Sequence, residues 1–294
     1  MYQTLQPLIG CCYRVDRKSV GLLYETISIL TNIAFNTLQK NAFMNALFDV
    51  KDKVVILSGH QGRMGVSLAD CLVQEGAIVL LLGSCPEEGR ALVEAMILKG
   101  GEAAFFEVDP SDAFGLLQVQ EDIMLEYGRI DALVYELEGL PNMTMASCSC
   151  GLLDVTPPTP CQSTNNWLEN ALLTIRTFLK PMLRQQEGSI VFLLDYPQTR
   201  RRVSECTHTQ VLRDVTVLTK ALAGELVQRF GSTYRVNTLM VGNDNPVQFN
   251  PENLQGTLHF LISEASLAMT GNIVLVDEGF HIFADNATLT TEFV

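Results

Sequence analysis

Seven short apolar runs, none alternating cleanly between apolar and polar residues, punctuate the chain from Val54 onward, and segments of helical period separate them. They are Val54 to Leu57, Ile78 to Leu82, Ala104 to Val108, Asp131 to Tyr135, Ile190 to Leu194, Arg235 to Met240 and Ile273 to Val276. A strand with one wet face alternates, whereas a continuous apolar run has to be covered on both faces. Between the runs, Gly65 to Gln74 and Pro86 to Leu98 read as helices, the second opened by a proline whose missing N–H costs nothing in a first turn. The longest helices are expected at about Asn166 to Gln185 and Glu205 to Phe230, the latter with Val211, Val215, Leu218, Leu222 and Leu226 on one stripe. The pattern predicts an α/β fold, a Rossmann-type doubly wound parallel sheet in three layers.

Composition narrows the function classes. Of 294 residues, 47% are hydrophobic and 18% charged, which excludes a disordered chain. A formal charge of -13 disfavours nucleic acid and anionic membrane surfaces as partners. The nearest approach to a membrane span, Val20 to Leu38, is interrupted by Glu25, Asn32 and Asn36. The eight cysteines are too irregularly spaced for a disulfide scaffold, so a reducing cytoplasm is the simpler setting.

Residues 1–43 stand apart, with Arg14, Arg17, Lys18 and Lys40 set against only Asp16 and Glu25. Two readings stay open for this extension: a segment that packs on the body or a partner, or an over-called start with Met44 as initiator. A domain over 44–280 and a tail over 281–294 complete the expected organisation. The stretch from Leu137 to Thr164, with Pro157, Pro158 and Pro160, is long for a connection and reads as a lid, an interface or an insert.

The first apolar run enters Ser58-Gly59-His60-Gln61-Gly62-Arg63-Met64-Gly65 and then a helix. In that context Gly59 makes a tight turn, Gly62 allows close approach of a pyrophosphate, and Gly65 lets helix and strand pack. A strand-to-helix turn without ligand is the competing reading. The sequence here resembles the short-chain dehydrogenase/reductase family over roughly Leu47 to Phe280. The resemblance runs through "EYGRIDALV", "GSIV", "TKALAGEL", "RVN" and "TGNIVLVDEGF", in family order, and the opening is similar to bacterial members acting on sugar acids and polyols. It implies a seven-stranded sheet, NAD or NADP as cofactor, and a dimer or tetramer built through the two long helices.

The same resemblance implies a catalytic serine after the fifth strand and a Y-x-x-x-K pair on the next helix, the lysine charge favouring the phenolate. Alignment through "GSIV" and "TKALA" puts Asp195 at the serine, His208 at the tyrosine and Leu212 at the lysine. Leucine carries neither charge nor donor. The expectation is a chain without the standard reaction, a nucleotide-binding or non-catalytic partner of an active relative; the alternative is an oxidoreductase with atypical residues. Asp195 and His208 would face one another, either as an acid/base pair or as drift after loss of function.

Other departures concern the cofactor. Tyr135-Glu136-Leu137-Glu138-Gly139 replaces the family's N-N-A-G and sets acidic groups beside an anionic ligand. Gly83 and Ser84 stand where an acidic residue or an arginine would choose between NAD and NADP, and Arg63 replaces a glycine of the common turn. Asp109 retains the family's adenine-contacting position. The expected cofactor set is therefore Gly59, Gly62, Arg63, Gly65 and Asp109, with no cofactor equally tenable. Only eight residues separate Gly242 from Pro251, where lidded members carry a much longer segment. No metal site is expected: Cys148, Cys150, Cys161 and Cys206 lack paired zinc spacing, and Arg200 to Arg202 read as a solvated loop.

Overall fold

In the computed structural model the chain divides into two compact units, Met1–Leu47 and Phe48–Val294. The structure describes residues 46–59, 63–137, 162–197, 205–243 and 252–278, the side chains of 63, 162–166, 195–197, 205–211 and 243 lying outside that description. The sheet and the helices that cover it belong to the second unit.

Seven strands form one sheet in the order β3-β2-β1-β4-β5-β6-β7, and every neighbouring pair is parallel. They are β1 (Val54–Ser58), β2 (Ile78–Gly83), β3 (Glu102–Glu107), β4 (Ala132–Glu136), β5 (Gly188–Pro197), β6 (Tyr234–Asn243) and β7 (Ile273–Val276). The helices are α1 (Arg63–Gln74), α2 (Pro86–Leu98), α3 (Ala113–Glu126), α4 (Gln162–Gln185), α5 (Glu205–Phe230) and α6 (Glu252–Ile262). The doubly wound architecture expected from the apolar runs is present. Strands β5 and β6 run longer than the apolar runs that marked them, because ladder pairing continues through Asp195↔Val241 to Pro197↔Asn243. The third strand lies two residues earlier than the apolar run suggested. Glu102 pairs with Ile78 at an outer strand, where one charged side chain can stay in water.

Two apolar clusters flank the sheet. One face carries Ile56, Leu133 and Phe192 against α3, α4 and α5, with Phe178 of α4 completely buried. The other carries Leu57, Val134 and Leu239 against α1 and α6. The strands contribute alternate residues to the two clusters, which is why their sequences show no polar alternation. On the stripe expected for α5, Val215 and Leu226 are buried and Leu218 and Leu222 pack against the same cluster. Val211 lies outside the described side chains.

At the amino ends of the strands, buried polar groups tie the layers together. Asp131, just before β4, accepts the Val54 N–H at 2.8 Å and the Arg129 Nε–H at 2.8 Å through Oδ2, while Arg129 Nη2 reaches Oδ1. Asn237 of β6 donates to the Met269 carbonyl at 2.9 Å and accepts the Asn272 N–H at 3.1 Å, which fixes the turn into β7. Arg235, 5% exposed, donates to the carbonyls of Ser263 and Ile262 at the carboxyl end of α6. The segments "GRIDALV" and "RVN" are thus structural: they satisfy backbone groups that the sheet and helix would otherwise leave buried and unpaired.

Candidate functional site

In an open α/β sheet, ligands bind beyond the carboxyl ends of the strands where chain direction switches, here between β1 and β4. The glycine turn sits there. Ser58 ends β1 almost fully buried, and Gly59 follows at φ 92°, a left-handed conformation that strains any residue with a Cβ. Gly65 is buried in the first turn of α1. Gly62 lies outside the described residues, and the Arg63 side chain outside the described side chains.

A cavity of about 140 Å³ opens beside this turn. Its floor is the strand ends: Ser58 of β1 and Gly59 after it, Gly83 of β2 and Ser84 after it, Tyr135 and Glu136 of β4. Val108, Pro110 and Leu116 form one wall, and Trp167 and Asn170 of α4 form the other. Trp167 begins the inner stripe of α4 and is 6% exposed. In the sequence, a gapless alignment puts Trp167 at the family's helix asparagine, with Asn165, Asn166 and Asn170 nearby. Its wall role comes from α4 folding back across the end of β4, and only the three-residue step to Asn170 hints at a shared face.

Glu136 is 8% exposed and lines the cavity. Among the described lining residues there is no lysine, arginine or histidine. Asp109 is exposed and is not part of the cavity lining. Its carboxylate accepts both the backbone N–H of Ser111 at 2.8 Å and the Ser111 hydroxyl at 2.6 Å. The hydroxyl bond, then the N–H bond, hold its pKa below the ordinary carboxylate value. That interaction favours the fold above the unfolded pKa and is lost as pH falls through the lower, folded value. Ser111→Ala should therefore move the Asp109 pKa upward in a carboxyl NMR titration. No change would show that the hydroxyl bond does not form in solution.

The positions matched to the family's catalytic residues lie further along the sheet. Asp195 is in β5, its backbone in register with Val241. His208 lies in α5. Neither side chain is among those described, so their expected facing lies outside the description. Leu212, at the lysine position, is described: it packs against the apolar cluster between α5 and the sheet.

Residues 53–195 match the model of the short chain dehydrogenase family. This is a short-chain dehydrogenase fold. The sequence is 26% identical to a 3-oxoacyl-(acyl-carrier-protein) reductase of Chlamydia pneumoniae over 253 residues, covering 78% of this chain and 97% of that protein. It is 30% identical to cyclopentanol dehydrogenase of Comamonas testosteroni over 153 residues, 48% of this chain and 54% of that one. Among solved structures, 2-keto-3-deoxy-D-gluconate dehydrogenase from Streptococcus agalactiae superposes with a TM-score of 0.67 at 18% identity, covering 83% of this chain and 99% of that one. A Haemophilus influenza structure with bound NAD superposes at 0.66, at 19% identity, covering 80% and 96%.

The short-chain dehydrogenase fold brings the expectation of a dinucleotide, and the residues present fit it only in part. Gly59, at φ 92°, and Gly65, buried in the first turn of α1, flank residues 60–62, which lie outside the described residues. The described residues at the neighbouring strand ends, Gly83, Ser84, Tyr135 and Glu136, include no basic side chain that would meet a phosphate. No helix among the described residues is long and apolar enough to cross a membrane.

Proposed function

We propose that this chain uses a short-chain dehydrogenase fold without the standard hydride transfer, and acts by binding a small nucleotide-like molecule and another subunit. The observation that carries this reading is Leu212. At the position matched to the lysine that would lower a phenol's pKa and hold a ribose, the chain has an aliphatic side chain committed to apolar packing. At this partly buried position leucine supplies neither the charge nor the hydrogen-bond donors of a lysine. The proposed setting is the cytoplasm, and the proposed partner a second copy or an active relative. Exposed Val217 of α5, together with Phe230 at its end, supplies apolar surface on a helix suited to such pairing.

A second reading has its own support: the matched relatives include named dehydrogenases of sugar acids and alcohols. In that reading Asp195 and His208 replace the serine and tyrosine in an NAD- or NADP-dependent oxidoreductase.

The two are separated by incubating the purified chain with NADH or NADPH and a panel of keto-acid and ketone substrates, following nicotinamide absorbance. The expected result is no turnover above the protein-free rate. Sustained oxidation of either cofactor, abolished by His208→Ala, would replace the first reading with the second.

A further inference from the structure

We propose that two copies of this chain form a closed dimer through α3 and α4, the apolar and acidic crest of α3 in each copy seated on the basic crest of α4 in the other. The proposal deepens the partner reading above and rests on it. It commits to a second copy as the occupant and to a face that α5 does not share.

The outer side of α3 puts large apolar side chains in water. Phe114 is 77% exposed and Leu125 89% exposed, with Leu117 beside them, while Leu116, Val119 and Ile123 on the opposite side of the helix are buried. Phe114, Glu121 and Leu125 fall on one line along the helix. Glu121, Asp122 and Glu126 are exposed around that line, and no basic residue occurs between Ala113 and Glu126. The neighbouring α4 carries the opposite charge. Arg176, Lys180 and Arg184, spaced one turn apart, form an exposed stripe, and Glu169 is the single acidic residue of that helix. None of the three cations is in an ion pair among the described residues.

Charge complementarity between these two crests selects the occupant. The helices pack against each other on one side of the sheet, and they end at the same edge of it. There Gln185, the last residue of α4, accepts the Ile130 N–H and donates to the Ile130 carbonyl, both at 2.9 Å, just beyond the end of α3. With the same rise per residue, the last turns of the two helices stand level, Glu121, Asp122 and Glu126 with Lys180 and Arg184. A two-fold axis parallel to the helices preserves these levels and exchanges α3 with α4, so acid meets base twice in the dimer. The aliphatic stems of the lysine and arginines suit Leu117 and Leu125 as their charges suit the carboxylates. Pairing through α4 alone, or through α4 and α5, would set the same stripe against its own copy or against the exposed Arg213 and Lys220. Like charges disfavour that contact.

Sedimentation velocity of the purified full chain tests this. Wild type at about 50 µM and low ionic strength is expected to sediment as a dimer that added salt weakens. Two double variants reverse the charge of one crest each: Glu121→Lys with Asp122→Lys on α3, and Lys180→Glu with Arg184→Glu on α4. Either variant alone opposes like charges at both contacts and is expected to dimerise at least about tenfold more weakly. Mixed one to one, the two variants are complementary again, and the dimer is expected to return. Leu125→Ser changes no charge and is expected to weaken the dimer about tenfold. All these side chains are exposed in the single chain, so far-UV circular dichroism should show every variant folded. Leu125→Ser carries the test if a charge-reversed variant does not fold.

A wild type that stays monomeric overturns the proposal. So does a dimer of the α3 double variant as tight as wild type, which would put the contact on α4 and α5. Failure of the mixed variants to dimerise, or assemblies that grow beyond two copies, would overturn the two-fold exchange of α3 and α4. No cofactor or substrate is present in these measurements, so they are distinct from the turnover assay. A monomer would sink this inference and leave the absence of hydride transfer standing, whereas turnover would sink that reading and leave the dimer standing.

Discussion

Replacing Asp131 by Ala should lower the free energy of unfolding by about 3 kcal/mol, one of the largest effects expected from any single polar substitution in this chain. The carboxylate is only 4% exposed on its side chain and serves two partners from one position. One is the Val54 N–H that opens β1, itself in a buried residue. Without Asp131 that N–H has no partner and cannot reach water, a penalty of about 1–3 kcal/mol. The other partner is Arg129, whose side chain is 48% exposed and can rehydrate, so its loss adds little. A small cavity adds the remainder. Asp131→Asn keeps one acceptor for Val54 and should cost about half as much. Urea unfolding of the three proteins tests this ordering. Equal stability of Ala and Asn variants would mean that the Arg129 pair, rather than the strand N–H, is the important contact.

Arg235→Ala should cost about 3 kcal/mol for a different reason. The guanidinium donates at 3.1 Å to Ser263 and at 3.4 Å to Ile262, carbonyls at the end of α6, where a cation also complements the helix dipole. Burial lowers its pKa, and the charges of Glu264 and Glu187 act in the opposite direction, so the residue is a cation solvated by the protein rather than a neutral group. Two effects compete when it is removed. The Ile262 carbonyl loses its donor and a long side chain leaves a void, which destabilises; an incompletely hydrogen-bonded buried charge disappears, which stabilises. Arg235→Met separates them, since it fills the space without charge or donors. We expect about 1 kcal/mol of destabilisation for Met against about 3 for Ala. A Met variant as unstable as the Ala variant would show that hydrogen bonding to α6 outweighs packing, and one more stable than wild type would show that the buried charge is a net liability.

The fold was legible because its strands are buried on both faces. A run such as Val54 to Leu57 or Ile190 to Leu194 has no other stable placement than a covered sheet, and the helices between such runs determine that neighbouring strands are parallel. Element ends were less legible. The continuation of β5 through Asp195 to Pro197 depends on pairing with β6, a partner distant in sequence that local pattern does not reveal. The glycine turn was legible for the same local reason as the strands: Gly59 adopts a positive φ immediately after β1. Asp109 shows the opposite case. Its position suggested a ligand contact, and what the fold adds is a pair of bonds from Ser111, two residues on, to one carboxylate oxygen, Oδ1, which sequence position does not reveal.

By itself the sequence determined the doubly wound sheet, the glycine-rich turn after its first strand, and the absence of a charged side chain at position 212. These depend on the burial periodicity of each segment and on residue identity, both of which are local. Only the tertiary structure decided that Trp167 and Glu136, from α4 and β4, bound one cavity, and that Asp131 and Arg235 spend their charges on backbone groups of β1 and α6. Those meetings join residues distant in sequence. They depend on how helices cross the sheet ends, and a buried charge there takes its role from whichever backbone or ligand group the fold carries to it.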